Sequence, residues 1–415
     1  MSEIKQYETV IIGGGPAGLG PLVAADQLGE LNKWVNHRRG ICVIDGGEAA
    51  NFGSGALGNY AINSNSPPRD FLENLRVDGE LRGVLQSNIG RRIVERDERR
   101  EAVLPLREVG DLQREIGSTL FEILDGSEVS DVRFNTRVKC VRLLDDGFVI
   151  FDREDQELAR SKKLLLATGG RQELLDIYGG NSDKVVLSGA VIEEGDELVR
   201  ALDVLAAGRE IVILGGSHSA FSVVWKLLEF AERQEIAIGD GAVKVISRET
   251  PRLFYENSRA ADADDYAFDR EWDVCEETDR VNRFGGVRGD AKELYRRISS
   301  GNERRVVLSD KVGGAFNRAG LIVQATGYRA NAVPLYKPNG ELVGPYINDY
   351  GRVEVNNSCR IFTENGDVLP NAWAVGLAHG VNAGIFGGEK SFRGVLDAVN
   401  LYQGAVGTIV YNQLK

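Results

Sequence analysis

Thr9-Val-Ile-Ile-Gly-Gly-Gly-Pro-Ala-Gly-Leu19 decides the fold of this chain. An apolar run of strand composition feeds a glycine-rich turn, and the turn feeds a helix-like stretch. Gly13-x-Gly15-x-x-Gly18 places a glycine wherever a side chain would obstruct a dinucleotide. The first permits the tight turn, the second lets backbone approach a pyrophosphate, and the third lets helix and strand pack closely. Pro16 and Ala17 then open a helix whose N-terminus faces the phosphate charge. A second strand, Ile41-Cys-Val-Ile-Asp45, ends in an acid suited to accept hydrogen bonds from ribose hydroxyls. Asp45 comes later than the usual spacing of about 20 residues, because Asn32 to Gly40 adds length. Gly46 to Gly58 follows, so rich in glycine that it reads as backbone lying against a large planar ligand, with a flexible loop as the alternative.

The same grammar returns in Glu210-Ile-Val-Ile-Leu-Gly-Gly-Ser-His-Ser-Ala220. Gly215, Ser217 and Ala220 hold the three glycine positions. Ala220 still allows close packing; Ser217 crowds a pyrophosphate, although Ser217 and Ser219 could donate to its oxygens. His218 falls at the turn, either beside that phosphate or simply at the surface. The next strand, Ala242-Val-Lys-Val-Ile-Ser-Arg248, ends in a cation where an NAD-preferring domain carries an acid. A cation there selects the ribose 2′-phosphate of NADP, and Arg252 would form the other side of the clamp.

A second pair also repeats. Leu164-Leu-Leu-Ala-Thr-Gly-Gly170 and Leu321-Ile-Val-Gln-Ala-Thr-Gly-Tyr328 each end an apolar strand in Ala-Thr-Gly. Turn, strand, turn, strand and tail in this order predict an α/β chain of two nested Rossmann-like dinucleotide-binding domains. Residues 1–170 open the first domain, with a helical excursion over 70–127; residues 185–325 form the inserted second; residues 330–415 complete the first. Val138 to Lys163 reads as a β-meander turning at Asp145-Asp-Gly147. Asp262 to Asp279 reads as a solvated acidic loop, with a lid offering acceptors to a cationic amine as the alternative.

Composition narrows the function. The chain has 415 residues, 50 Lys+Arg against 62 Asp+Glu, and a net charge of −12. That balance argues against nucleic-acid partners and against docking on anionic lipid. The histidines His37, His218 and His379 are scattered and leave little material for a metal site. Cys42, Cys140, Cys275 and Cys359 contain no C-x-x-C, so neither a disulfide framework nor a dithiol centre is indicated. No signal-like or membrane-spanning stretch is visible, and the expected location is cytoplasmic. The sequence does not fix the oligomeric state; a homo-oligomer is compatible with it.

These motifs resemble the two-dinucleotide-binding flavoprotein oxidoreductases, most of all the flavin-containing and N-hydroxylating monooxygenases. Ala325-Thr-Gly-Tyr328, with Arg329 after it, is similar to the ATGY element of the monooxygenase branch. Ser64-Asn65-Ser66-Pro67 is similar to the Thr-Asn-x-Pro segment that the family places beside the flavin. The resemblance implies FAD at the first turn and NADPH at the second. It makes Asn65 a candidate for bonding flavin-bound oxygen; ordinary turn chemistry is the alternative. The F-x-G-x-x-x-H fingerprint of Baeyer–Villiger and typical multifunctional amine monooxygenases is absent, as is the usual late Gly-Asp that contacts FAD. In the latter's place stands Ala372-Trp-Ala-Val-Gly-Leu-Ala-His-Gly380, a strand ending at Gly376, followed by Val381-Asn-Ala-Gly384. Gly376 and Asn382 are expected at the start of the last helix, where backbone N–H groups favour a reduced, anionic flavin. His379 would bond flavin or substrate, or serve as a buried structural histidine.

The implied activity is an FAD-dependent, NADPH-using monooxygenase acting through a flavin hydroperoxide. It would oxygenate a soft nucleophile, an amine or thioether, with O₂ as co-substrate, and N-hydroxylation is the favoured subtype. An NADPH-dependent flavin reductase without a dithiol is the alternative. A non-catalytic nucleotide-binding sensor is the third reading.

Overall fold

The computed structural model describes residues 5–64, 66–381, 386–392, 394, 396 and 398–415. The N-terminal strands are β1 (Gln6–Ile12), β2 (Ile41–Ile44), β3 (Asp131–Arg133), β4 (Val138–Leu144), β5 (Gly147–Asp152) and β6 (Glu157–Leu166). A two-residue strand β7 (Gly170–Arg171) precedes β8 (Val185–Leu187), β9 (Ile211–Leu214), β10 (Val243–Ile246), β11 (Val306–Ser309) and β12 (Leu321–Gln324). Another, β13 (Arg329–Ala330), leads to β14 (Leu335–Tyr336), β15 (Leu342–Gly344), β16 (Arg360–Phe362) and β17 (Val368–Ala374).

The first sheet has a parallel core in the order β3-β2-β1-β6-β17. Val10 pairs with Cys42 on one side and Leu164 on the other, and all three are fully buried. Unbroken apolar runs such as Val10-Ile-Ile12 fit strands covered on both faces. The helix Pro16–Gln27 covers one face and is itself buried along nearly its whole length, from Ala17 to Asp26. A helix apolar all round requires partners on every side. The returning tail supplies them with Val399–Gln403 and Ala405–Leu414. Strand β6 is long enough for two roles: its first half closes the antiparallel meander with β4 and β5, and its second half enters the parallel core.

The second sheet is wholly parallel, in the order β11-β10-β9-β12-β8. The chain enters and leaves it along β7 and β13, which pair antiparallel, Arg329 opposite Arg171. The fold is thus two nested Rossmann-like units joined by a two-stranded ribbon.

Four helices, Pro68–Leu72, Arg82–Gln86, Asn88–Glu98 and Leu106–Asp125, lie between β2 and β3. The glycine-rich loop after Asp45 packs on the last of them. A Cβ at Gly53 would stand 2.0 Å from the Gln113 carbonyl oxygen, and one at Gly117 2.2 Å from that of Phe52. A Cβ at Gly110 would fall 2.3 Å from Cα of Gly58. These glycines therefore let loop backbone touch helix backbone, and the flexible-loop alternative does not hold.

The acidic stretch is solvent-facing, with Asp262, Asp264, Asp265, Asp269, Glu271, Glu276, Glu277 and Asp279 all exposed. Three of these carboxylates are also bound locally: Asp264 by Arg296 and Tyr255, Asp262 by Arg270, and Asp279 by the N–H and hydroxyl of Ser258. It docks on the tail, where Ser391 N–H donates to the Trp272 carbonyl and Lys390 pairs with Glu276 at 2.9 Å. Pairing and docking turn a sequence of loop composition into a fixed excursion of the second unit.

Candidate active site

The two turns are built alike. Gly13 N–H donates to the Ile44 carbonyl and Gly215 N–H to that of Ile246. Gly13 and Gly215 have φ of +109° and +141°, which a residue with a Cβ rarely adopts. A Cβ at Gly13 would lie 2.2 Å from the Ala167 carbonyl oxygen, and one at Gly215 2.3 Å from that of Ala325. The alanine of each Ala-Thr-Gly is thus the wall against which the first turn glycine rests. Sequence reading noticed this repeat without seeing that contact.

Gly15 is the N-cap of the helix Pro16–Gln27, and no side chain caps that terminus. A Cβ at Gly15 would meet no atom within 4 Å, whereas one at Gly18 would stand 1.9 Å from the Gly13 carbonyl oxygen. Open space in front of unsatisfied N–H groups fits a pyrophosphate. The Asp45 carboxylate accepts from Gly14 N–H at 2.5 Å and Gly47 N–H at 2.6 Å, and its remaining lone pairs stay available to ribose hydroxyls. Gly46 lies beneath Arg137, whose Cγ would be 3.1 Å from an added Cβ. Phe52, absent from the sequence reading, lays its ring against Gly14.

Gly376 brings the tail to the same helix start, since a Cβ there would stand 3.2 Å from the Ala17 Cβ. Gly376 itself lies in a turn and not at a helix N-terminus: His379 N–H donates to the Gly376 carbonyl, and His379 bridges Val353. Ala378 at φ +63° sets that turn. His379 is completely buried; its Nδ1 lies 3.0 Å from the Leu377 carbonyl oxygen, and its Nε2 has no partner among the described residues. Burial pushes its pKa down to about 4, so the ring is neutral. With Nδ1–H given to Leu377, Nε2 is a free acceptor. Asn65 and Asn382 lie outside the described residues.

In the second turn Ser217 is the exposed N-cap of the helix His218–Arg233, its side chain makes no capping bond, and Ala220 is fully buried. Ser219, half-buried, is in the same first turn. His218 is not a free surface residue. Its Nε2 lies 3.2 Å from the Gly286 carbonyl oxygen, and its Nδ1 is buried without a described partner. Burial, reinforced by the Arg288 charge, lowers its pKa to about 4. Arg248 is exposed and makes no ion pair among the described residues. Arg252 does not stand free beside it: its guanidinium bonds Ser391 Oγ at 2.6 Å and lies 3.5 Å from Asp273. The backbone explains this, because Arg252 O accepts from Val287 N–H as Leu253 bridges Val287.

A family model described as pyridine nucleotide-disulphide oxidoreductase matches residues 7–378. The chain belongs to that family. It is an oxidoreductase, and FAD with NADP(H) is the cofactor pair of this two-site architecture. The chain is also 31% identical, over 99% of its length and 98% of the relative's, to a CMP-5′-(3-aminopropyl)phosphonate hydroxylase of Streptomyces rubellomurinus. That relationship supports an oxygenating, hydroxylase-type oxidoreductase. Among solved structures, the Kutzneria sp. 744 ornithine N-hydroxylase superposes with a TM-score of 0.60 at 15% identity, covering 98% of this chain and 99% of that one. The cadaverine monooxygenase of Erwinia amylovora gives 0.60 at 14%, covering 99% and 94%. These structures share the fold. No helix among the described residues is long and apolar enough to cross a membrane.

Proposed function

We propose that this protein is an FAD- and NADPH-dependent monooxygenase that N-hydroxylates a primary amine carried on a phosphonate or nucleotide. The end-to-end relationship to the aminopropylphosphonate hydroxylase carries this reading. The balanced reaction is R–NH₂ + NADPH + H⁺ + O₂ → R–NHOH + NADP⁺ + H₂O. Bound FAD would supply hydride acceptance and the subsequent oxygen transfer.

The chain's residues do the positioning. Gly13, Gly15, Pro16, Ala17 and Gly18 present helix N–H groups to the FAD pyrophosphate, with Asp45 and Gly46 at its ribose and Gly376 closing the far side. Gly215, Ser217, Ser219 and Ala220 do the same for NADPH, and Arg248 meets the 2′-phosphate. His218 stays neutral beside that phosphate and fixes the Gly286 backbone. His379 holds an acceptor at Nε2 in a dry setting, where a single hydrogen bond orients strongly. Asn65 remains the proposed donor to flavin-bound oxygen. Arg252 anchors the excursion through Ser391 in place of clamping the coenzyme.

The test is NADPH oxidation in air with CMP-5′-(3-aminopropyl)phosphonate and simple alkylamines, with product mass and hydrogen peroxide measured together. The expected product gains one oxygen atom on nitrogen. NADPH consumption recovered entirely as peroxide across the panel would overturn the reading in favour of a reductase.

A further inference from the structure

The turn of the second unit is held in place from the first. His218 is the first residue of the helix His218–Arg233, beside the uncapped Ser217, where a pyrophosphate would approach. Its Nε2 lies 3.2 Å from the Gly286 carbonyl oxygen. A carbonyl only accepts, so Nε2 carries the hydrogen and donates, and burial with the Arg288 charge keeps the ring neutral. Gly286 is closely packed. Its N–H donates to the Asn282 carbonyl at 2.9 Å, and an added Cβ would stand 2.5 Å from the Phe254 nitrogen.

The group that fixes this backbone comes from the returning tail. The Glu389 carboxylate is buried, only 4% exposed. Arg288 attracts it from beyond ion-pair distance. Its oxygens accept from two consecutive backbone groups, Phe284 N–H at 3.0 and 3.1 Å and Gly285 N–H at 2.8 Å. Such charge-assisted bonds are about twice as strong as neutral ones and offset the cost of burying a carboxylate. Bonds from one side chain to adjacent N–H groups fix direction as well as distance.

Neighbouring contacts brace the joint. The Phe284 and Phe392 ring centroids are 5.8 Å apart, and Arg283 Nη1 donates to the Phe386 carbonyl at 2.9 Å. The same tail rests on the first turn, where Gly376 faces Ala17. One segment of chain therefore touches the FAD turn at one end and, through Glu389, Gly286 and His218, reaches the second turn at the other.

We propose that Glu389 is a positioning residue for the nicotinamide coenzyme: from the first unit it orients the backbone of residues 284–286 and, through the Gly286 carbonyl, the His218 ring at the second turn. This rests on NADPH docking at that turn and adds a route by which the FAD unit governs it. The route serves the pyrophosphate that NADPH and NADH share, and Arg248 lies outside it.

The experiment uses the full-length, FAD-loaded protein with Glu389→Ala, Glu389→Gln, His218→Leu and each Glu389 variant combined with His218→Leu. Calorimetry measures NADPH and NADH binding; flavin absorbance and thermal melting check loading and folding. Glu389→Ala should lose about ten- to hundredfold in affinity for both coenzymes. Glu389→Gln keeps one oxygen for the two N–H groups but turns an NH₂ towards Phe284, so its loss should be about three- to tenfold. In the His218→Leu background neither change should weaken binding further by more than about twofold, because the bond that transmits it is gone. Losses that multiply in the double variants would show that Glu389 does not act through His218 and would overturn the proposal. So would coenzyme affinity unchanged in Glu389→Ala or, where that variant does not load flavin, in Glu389→Gln. Either result leaves NADPH docking intact, whereas a wild type that binds no NADPH would remove that reading and this proposal together.

Discussion

A side chain at Gly18 would stand 1.9 Å from the carbonyl oxygen of Gly13, whereas three residues earlier, at Gly15, a side chain would meet no atom within 4 Å. One motif therefore contains a glycine required by the fold and a glycine required only by a ligand. Gly18→Ala should fail to accumulate as folded protein, because backbone cannot retreat from backbone at that distance. Gly15→Ala should melt as the wild type does without flavin, yet purify colourless or with FAD affinity reduced at least about tenfold. Flavin absorbance and thermal melting, read on the same preparations, separate the two. Normal FAD content in Gly15→Ala would exclude a pyrophosphate at this turn.

The pairing of Gly53 with Gly117 makes the loop after Asp45 part of the core. Gly117→Ala should cost about 1–3 kcal/mol, the usual range for overpacking. Denaturant unfolding gives that number. Hydrogen exchange should also show the Gly53 amide, which donates to the Gly14 carbonyl at 2.8 Å, protected in the wild type and exposed in the variant.

Among the described residues Arg248 makes no ion pair, whereas Arg252, the other side of the expected NADPH clamp, is held by Ser391. Arg248→Ala should raise KM for NADPH about ten- to hundredfold and leave that for NADH nearly unchanged. Arg252→Ala should instead loosen the excursion and affect both coenzymes alike. Equal shifts for NADPH and NADH in Arg248→Ala would remove the basis for NADPH preference.

His379 links pH to stability. Its folded pKa is about 4, below the ordinary 6.5, so the unfolded chain binds more protons between these values. Stability then falls as pH drops through that window, by up to about 3 kcal/mol. His379→Leu should flatten the fall without abolishing it, because His218 carries a shift of the same direction. Denaturant midpoints at pH 7 and pH 4.5 check this; an undiminished pH dependence in the variant would show that the ring does not govern it.

Short-range pattern made the fold class legible. An apolar strand, a turn of glycines and a helix are set by residues adjacent in sequence, and the two repeats of that pattern imply two nested units. The same pattern misled where long-range contacts decide. Glycines at 53 and 58 read as backbone against a planar ligand, or as a flexible loop, because Gly117 and Gly110, which they touch, are distant in sequence. Asp262 to Asp279 is solvent-facing as read, but its pairing with Arg296 and its docking on the tail were hidden because those partners lie elsewhere in sequence. Gly376 read as a helix start, while a bridge from His379 to Val353 makes it a turn. The sequence by itself determined which residues form the two turns, since steric tolerance at Gly13 and Gly18 is local. Only the tertiary structure decided which charges are engaged. Arg252 read as one side of a coenzyme clamp, and the backbone bridge of Leu253 to Val287 instead holds its guanidinium at Ser391 and Asp273.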